Sequence, residues 1–169
     1  ISPVPLDAYE TKMFKGFLGT FYTSSGQNSH LSKTPDTVKA YLPFNNNRMS
    51  IINAEGEATA ANVITDVTKY AAGGKYLTFI SGDQGFERID NLDLKSGRNC
   101  LVIKDSYGNA FVPFLIPHYK SVFVADPRSC PFTLSEICST YNIHDIIYIS
   151  NISTTRNSVF IDAVESFVK

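Results

Sequence analysis

The chain has 169 residues, of which 43% are hydrophobic and 18% are charged, and its formal net charge is −1. This balance is typical of a folded globular domain and excludes intrinsic disorder, which requires low hydrophobicity and high net charge. The basic residues are scattered, which argues against a nucleic-acid partner, and no apolar run approaches the ~20 residues that a membrane span needs. The chain begins with Ile1 rather than Met. We therefore expect a processed or truncated chain from which an upstream segment is missing.

The amino-terminal part, residues 1–70, shows no regular alternation of strands and helices. Its predicted elements are a helix interrupted by Gly16 and Gly19 at 8–22, a polar loop at 23–36, extended segments at 36–44 and 49–58, and a polar turn at 45–47. No linker or repeat separates this part from the rest, so the sequence predicts one domain over residues 1–169.

Residues 71–169 alternate regularly between strand and helix patterns. The predicted strands are 75–81, 99–105, 121–126 and 145–151, with a short edge strand at 86–91, and the predicted helices are 107–118, 133–141 and 157–168. The last three long strands are nearly continuous runs of Val, Ile and other apolar residues, which is typical of parallel strands buried on both faces. The alternation predicts βαβ units in a three-layer α/β/α sandwich with a mainly parallel sheet.

The same pattern predicts which side chains are buried. Eight strand residues should lie largely inside the core: Val102, Ile103, Val122, Phe123, Val124, Ile146, Ile147 and Ile149.

Three cysteines lack the spacing of a zinc site or of a full disulfide framework. Cys130 and Cys138 could pair, although Cys138 also fits a helical pattern as a small hydrophobic residue. No glycine-rich phosphate loop follows any predicted strand. The sequence therefore predicts no metal and no cofactor.

The stretch "KDSYGNAF" (104–111) ends a predicted buried strand on Asp105 and Ser106. In open α/β sheets, ligands bind beyond the carboxyl ends of the strands. Ser106 could therefore be a nucleophile whose oxyanion is stabilised by amides at the start of the next helix. It could equally be a helix N-cap, a position that suits serine.

The turn after the strand at 75–81 lies at the same edge of the sheet. Gly82 could bring a second backbone amide toward Ser106, or it could simply form a tight turn. Asp83 and Gln84 could contact a sugar hydroxyl, or they could face water.

Four further residues border this edge. Asn109 could reach the site or hydrogen-bond locally, and Asp126 and Arg128 could face the crevice or form an Asp-Pro-Arg turn. Tyr107 could form an aromatic wall for a sugar ring or pack in the core.

The stretch "LVIKDSYGNAFVPFLIPHYKSVFVADPR" (101–128) resembles the carboxyl-terminal part of bacterial DHHW-motif proteins, which are SGNH-hydrolase-like and related to alginate O-acetylation proteins. In this resemblance Asp105-Ser106 corresponds to the family's serine block. The segment "YLTFISGDQGFERID" (76–90) resembles a family segment whose Gly-Gly-Asn turn is replaced here by "SGDQ". The resemblance covers roughly residues 70–155.

The resemblance implies an SGNH-hydrolase-like fold with flavodoxin-like topology, and an exported or surface-anchored location in a bacterium. It also implies acyl transfer or ester hydrolysis on a cell-envelope carbohydrate, with Ser106 as the nucleophile.

One departure concerns the catalytic base. The family's Asp-His-His-Trp motif, which would supply the catalytic Asp and His upstream of the serine, is absent, and the chain contains no Trp. His30 lies in a polar loop, His118 at the far end of the helix after Ser106, and His144 at the wrong end of a strand. We therefore expect no histidine within hydrogen-bond reach of Ser106 and an incomplete catalytic apparatus. The alternative is a noncatalytic carbohydrate-binding or scaffold domain that has lost the triad.

Overall fold

The computed structural model describes residues 2–169, in which eight strands form two sheets. The strands are β1 (Glu10–Phe17), β2 (Asp36–Leu42), β3 (Asn47–Ile52), β4 (Ala58–Ala61), β5 (Phe86–Asn91), β6 (Asn99–Lys104), β7 (Ser121–Ala125) and β8 (Asp145–Ile149). The α-helices are α1 (Thr20–Ser24), α2 (Ser29–Lys33), α3 (Leu134–Tyr141) and α4 (Ser158–Val168). Short 3-10 helices cover Leu6–Ala8, Ala72–Thr78, Ser106–Gly108, Val112–His118 and Ile152–Arg156.

Six strands form the main sheet in the order β4-β3-β5-β7-β6-β8. The neighbours β7, β6 and β8 are parallel, which confirms the predicted parallel arrangement of the three long apolar strands in one sheet. The pairs β3–β4, β3–β5 and β5–β7 are antiparallel. The fold is therefore a mixed α/β fold, and the expectation of a mainly parallel sheet is wrong.

Three local predictions are also wrong. The segment 86–91 is not an edge strand, because β5 lies between β3 and β7. The segment 75–81 is not a strand: a 3-10 helix ends at Thr78 and the backbone then turns through three residues with positive φ. The segment 8–22 is not a helix, since β1 pairs with β2 in a separate two-stranded sheet. Gly16, with a φ of 82°, lies at a shift of the β1–β2 register and forms a bulge.

Both faces of the main sheet are covered, but by different kinds of structure. The helices α3 and α4 bury Ile137 and Phe167 against one face. On the other face the segment predicted as a helix at 107–118 forms two 3-10 helices, with Pro113 and Pro117 inside the second. Proline lacks a backbone N–H and disrupts the hydrogen bonding of an α-helix interior. The sandwich therefore has α-helices in only one of its outer layers among the described residues.

The helices predicted at 133–141 and 157–168 are confirmed as α3 and α4. Thr133 and Glu136 form a capping box that satisfies orphan amides at the start of α3. Asn142, in the left-handed conformation with a φ of 48°, ends this helix. The side chain of Asn157 caps α4 by accepting a hydrogen bond from the Phe160 amide.

The predicted core is confirmed at five of its eight positions, all on β6 and β7. These buried residues are Val102, Ile103, Val122, Phe123 and Val124. On β8, however, Ile146 is 50% exposed, while Ile147 and Ile149 are only half-buried. The reason is that β8 is the edge strand of the sheet and carries less cover than its neighbours.

Replacing Leu101 by alanine should lower the free energy of unfolding by about 2–5 kcal/mol, because Leu101 is 0% exposed and would leave a cavity. The matched change Ile146→Ala should cost less than about 1 kcal/mol, because half of that side chain is already in water. Chemical denaturation of both variants measures the difference. Equal losses would contradict the assignment of β8 as an uncovered edge.

Two further observations concern the cysteines and the apolar character of the helices. Cys100, Cys130 and Cys138 are free thiols. Within residues 2–169 no helix combines the length and the apolar character that crossing a membrane requires.

Candidate active site

Ser106 lies immediately beyond the carboxyl end of β6, and its side chain does not cap the following 3-10 turn. That turn is capped by Asp105, whose carboxylate accepts from the Tyr107 amide at 2.9 Å and from the Asn151 amide at 2.7 Å. The Ser106 hydroxyl instead donates a short hydrogen bond to Asp83. The N-cap hypothesis for Ser106 is therefore wrong, and Asp105 links the end of β6 to the segment after β8.

Asp83 is presented by a tight turn with unusual backbone geometry. The three residues before it, Ile80, Ser81 and Gly82, have φ values of 43°, 59° and 85°. Such values are sterically costly for residues with a Cβ, and they cluster at functional sites. The Gly82 amide donates to the Phe79 carbonyl at 2.9 Å, so it is already used within the turn. The expectation that this amide would point toward Ser106 does not agree with that geometry.

Gln84 also stabilises the turn. Its side-chain amide donates to the Ser81 carbonyl at 3.0 Å. The side-chain amide of Gln84 is therefore used within the turn, and the side chain is half-buried rather than facing water freely.

The carboxylate of Asp83 is the centre of the site, because four side chains donate hydrogen bonds to it. Besides Ser106, the donors are Lys104 at 3.1 Å, Asn109 at 2.9 Å and Arg128 at 3.1 Å. Asn109 therefore joins the site rather than bonding only locally. The structure thus brings together four of the predicted site residues, Asp83, Ser106, Asn109 and Arg128, and adds Lys104.

Beneath this surface lies a buried cluster of charges. Lys104 is 0% exposed, and its ammonium group lies 3.1 Å from Asp83 and 3.6 Å from the buried Asp126. Asp126 accepts two hydrogen bonds from the Arg128 guanidinium, one of them at 2.8 Å from Nε. A Cβ on Gly108 would lie 2.6 Å from the Lys104 Cβ, so the close approach of this turn to the Lys104 stem requires glycine.

The donors around Asp83 determine its protonation state. Burial alone would raise the pKa of Asp83, but hydrogen bonds from Ser106 and Asn109 and the charge of Lys104 outweigh it and lower the pKa to about 2. Asp83 is therefore ionised at neutral pH and is a weak base. It can hold the Ser106 hydroxyl, but it is poorly suited to remove its proton.

Glu87 on β5 is the other buried acid near Lys104. Its side chain is 0% exposed, and neither carboxyl oxygen has a hydrogen-bond partner within the described residues. Burial raises the pKa of Glu87 to about 9, although the nearby charge of Lys104 opposes the shift. A neutral Glu87 leaves the two cations Lys104 and Arg128 balanced by the two carboxylates Asp83 and Asp126.

The raised pKa of Glu87 predicts a loss of stability with rising pH. In the unfolded chain Glu87 ionises with a pKa of 4.5, whereas in the folded protein it stays protonated up to a pH of about 9. The resulting loss of unfolding free energy is absent below pH 4.5 and grows as the pH rises toward about 9. Its contribution to the slope is at most about 1.4 kcal/mol per pH unit. Between about pH 5.5 and 8, Glu87→Gln should flatten the decline in unfolding free energy, whereas Glu165→Gln at an exposed position should not. Parallel slopes for wild type and Glu87→Gln would contradict a protonated Glu87.

The amides that follow Ser106 are all used within the turn. The Tyr107 amide donates to Asp105, the Gly108 amide to the Asp105 carbonyl at 3.0 Å, and the Asn109 amide to the Ser106 carbonyl at 3.3 Å. Only one 3-10 turn begins at Ser106, so no long helix directs its dipole at the hydroxyl. The expected oxyanion donors at the start of a helix are therefore not provided by these three amides.

No histidine in residues 2–169 hydrogen-bonds to Ser106, in agreement with the sequence expectation. His30 lies in the exposed helix α2, and His118 ends the 3-10 helix Val112–His118. The Nδ1 atom of His144 accepts from the Asn99 amide at 3.1 Å, at the amino end of β6 and far along the strand from Ser106.

Two tyrosines lie close to Ser106, one next to it in sequence and one in hydrogen-bond contact. Tyr107 is 64% exposed, so the expectation that it packs in the core is wrong and its ring is open to a ligand. The Tyr76 hydroxyl donates to the Ser106 carbonyl at 3.0 Å and fixes the backbone of the nucleophile candidate from the half-buried side.

The sequence patterns do not single out Lys104, Glu87 or Tyr76 as site residues. Lys104 carried a readable signal, because a lysine inside an otherwise buried strand must find a carboxylate partner. Glu87 carried none, since the segment 86–91 reads as an edge strand in which a charged side chain faces water.

Comparison with known protein families shows which family the chain matches. The family model described as DHHW protein matches residues 2–125. No curated protein sequence matches the chain.

Solved structures match almost the whole chain. A DHHW family protein from Eubacterium siraeum is 26% identical with a TM-score of 0.85, and the match covers 98% of this chain and 55% of that one. PatB1 from Bacillus cereus with a sulfonyl adduct is 19% identical with a TM-score of 0.71, covering 98% of this chain and 52% of that one. A second structure of Bacillus cereus PatB1 is 20% identical with a TM-score of 0.69, and the match covers 93% of this chain and 53% of that one.

The likeness to PatB1 is one of fold, and the chain spans about half the length of the solved structures that it matches. The resemblance noted in the sequence is confirmed by the family match, which includes Asp83, Lys104 and Ser106. The chain belongs to the DHHW protein family.

Proposed function

We propose that this chain carries the nucleophile of an SGNH-hydrolase-like esterase or O-acyltransferase that acts on a cell-envelope carbohydrate at a bacterial cell surface. The observation that carries the proposal is the Ser106 hydroxyl, which lies beyond the carboxyl end of β6, the middle one of the three parallel strands, and donates to the ionised Asp83. This is the edge at which open α/β sheets bind ligands. Membership of the DHHW family and the PatB1-like fold support the same reading.

In the proposed reaction the Ser106 Oγ attacks the carbonyl carbon of an acyl ester. The new C–O bond forms as the hydroxyl proton passes to a base, and the bond to the leaving alcohol breaks as that alcohol takes up a proton. The acyl group then passes from Ser106 to a carbohydrate hydroxyl or to water. A base is required because a neutral serine hydroxyl is a weak nucleophile.

Asp83 has a positioning role in this proposal. Lys104, Asn109 and Arg128 hold its carboxylate in place, and the carboxylate in turn fixes the rotamer of Ser106. Because its pKa is about 2, Asp83 does not itself accept the proton. We propose that an Asp–His pair outside these 169 residues supplies the base.

The carbohydrate would lie against the exposed ring of Tyr107. A tyrosine offers an apolar ring face and a hydroxyl, both of which suit a sugar. Arg128 is 42% exposed at its side chain and donates to the same Asp83 oxygen as Ser106, so its remaining N–H groups are available to substrate oxygens beside the serine.

One observation favours a noncatalytic carbohydrate-binding or scaffold role for the chain by itself. The amides after Ser106 are occupied and no histidine hydrogen-bonds its hydroxyl, so the described residues lack a complete catalytic constellation. The two functions differ in whether Ser106 is ever acylated.

The experiment compares the 169-residue chain with the protein expressed from its full reading frame. Both are incubated with a chromogenic acetyl ester, alone and with oligosaccharide acceptors. We expect little turnover by the short chain, because it lacks a base, and turnover or acyl transfer by the longer protein. Sugar binding without turnover by the longer protein would favour the noncatalytic role. Rapid turnover by the short chain would show that its own residues provide the base.

A further inference from the structure

On the sheet face that carries α3 and α4, two rows of paired side chains cross the parallel strands. Both rows are buried on β7 and β6 and become exposed on β8. One row is Phe123, Leu101 and Ile146, with exposures of 2%, 0% and 50%; the other is Ala125, Ile103 and Tyr148, with exposures of 0%, 5% and 53%. The helices therefore cover this face as far as β6 and leave Ile146 and Tyr148 of β8 about half exposed.

The strand β8 is also the last strand of the sheet. No described residue pairs with its outer side, so half of its backbone amides and carbonyls lack a strand partner. Edge strands in stable proteins are usually protected by charged side chains, above all lysine, by proline or by a bulge. The strand β8, "DIIYI", has no lysine, proline or bulge, and its one charged side chain, Asp145, is paired with Arg98 at the amino end of the strand. The segments after it expose two further aliphatic side chains, Ile152 at 83% and Val159 at 73%.

The lengths of the relatives indicate what covers this surface. The matched region is 98% of this chain but only 55% of the Eubacterium siraeum DHHW protein and 52% of PatB1. We infer that the outer edge of β8, with Ile146 and Tyr148, is the surface on which the remaining half of a DHHW protein docks. A further strand pairs with β8, and apolar side chains of that half cover Ile146 and Tyr148.

This arrangement would bring the docked half close to Ser106. That the docked half supplies the base for Ser106 rests on the proposed function. The Asp105 amide donates to the Ile149 carbonyl at 3.3 Å, so the carboxyl end of β8 lies beside the serine turn. Neighbouring strands are about 4.8 Å apart, which places an added strand about 10 Å from β6. A loop at its end could carry a histidine to the Ser106 hydroxyl.

Hydrogen exchange tests the docking independently of activity. The 169-residue chain and the protein expressed from its full reading frame are exchanged side by side, and the β8 amides are followed by mass spectrometry. We expect the outward amides of β8 to exchange rapidly in the short chain and to be protected for minutes to hours in the longer protein. Equally rapid exchange in both proteins would overturn the inference, whatever their activity.

A charge-insertion variant tests the side-chain part of the inference. Ile146→Lys combined with Tyr148→Lys should leave the melting temperature of the short chain nearly unchanged and lower that of the longer protein. Leu92→Lys is the matched control, because Leu92 is also 50% exposed but lies outside β8. A loss in the longer protein no larger than that of the control would contradict the docking. A different outcome is that the β8 amides of the short chain become protected as its concentration rises, and that the double variant abolishes this protection. That outcome would overturn the inference, because a second copy of the short chain would then be what covers β8.

Discussion

Replacing Lys104 by methionine should lower the free energy of unfolding by about 3–5 kcal/mol, although the side-chain volume changes little. The ammonium group is 0% exposed and lies between the carboxylates of Asp83 and Asp126. Removing one partner of a buried ion pair leaves an uncompensated charge in a medium that solvates it poorly. Asp126 would keep only Arg128 as a cationic partner, and the turn that carries Asp83 would lose one of its donors.

Denaturant unfolding of the variant measures this loss. Lys12→Met is the matched control, because Lys12 pairs with Asp66 at the surface and its side chain is 44% exposed, so its effect should be much smaller. In a double-mutant cycle, Asp126→Asn should lower the free energy of unfolding less in the Lys104→Met background than in the wild type, because the two residues interact. A Lys104→Met loss below about 1 kcal/mol would contradict the buried charge cluster.

Replacing Ser106 by alanine in the protein expressed from its full reading frame should lower its rate of ester hydrolysis or acyl transfer by several orders of magnitude. Removal of the nucleophile from a catalytic triad leaves only substrate binding and oxyanion stabilisation. Asp83→Asn should have a smaller effect, on the order of 10²-fold, because it disturbs the orientation of Ser106 without removing it.

Steady-state kinetics can distinguish a residue that orients Ser106 from one that binds the sugar. Asp83→Asn should lower kcat while leaving KM nearly unchanged, because Asp83 orients the hydroxyl and does not bind substrate in this account. Tyr107→Ala is the matched comparison and should raise KM, since its exposed ring is the proposed sugar contact. Unchanged turnover in Ser106→Ala would remove Ser106 from the chemistry.

The part of the fold that the sequence predicts best is the parallel part. The strands β6, β7 and β8 are buried or half-buried runs of branched side chains, and α3 and α4 carry clear caps and apolar stripes. These signals are local. Their parallel pairing follows from the long connections between them, because a tight hairpin turn joins only antiparallel strands.

The order of strands beyond β7 depends on long-range pairing and could not be read locally. β5 is central because β3, more than thirty residues upstream, pairs with its other edge. That pairing buries Glu87, which the sequence places at a solvated edge. The positive φ values at Ile80 and Ser81 are likewise invisible in the sequence, because neither residue type favours that conformation.

The sequence predicts the candidate residues at the edge of the sheet but not the contacts that join them. Ser106 is a candidate from the sequence because a serine follows a buried strand at the ligand-binding edge of the sheet. The role of Asp83 depends on a turn that brings it across 23 residues of sequence to Ser106. The burial of Lys104 depends on the carboxylates of two other segments, which no local pattern reveals.

Covalent labelling would show directly whether Ser106 is the nucleophile, as we propose. A sulfonyl fluoride is a suitable probe for the protein expressed from its full reading frame, because it reacts covalently with activated serine hydroxyls. Peptide mass spectrometry should locate the sulfonyl group on Ser106, with slower labelling in Asp83→Asn and none at this peptide in Ser106→Ala. An active protein that remains unlabelled at Ser106, or that is labelled at another residue with loss of activity, would contradict the account.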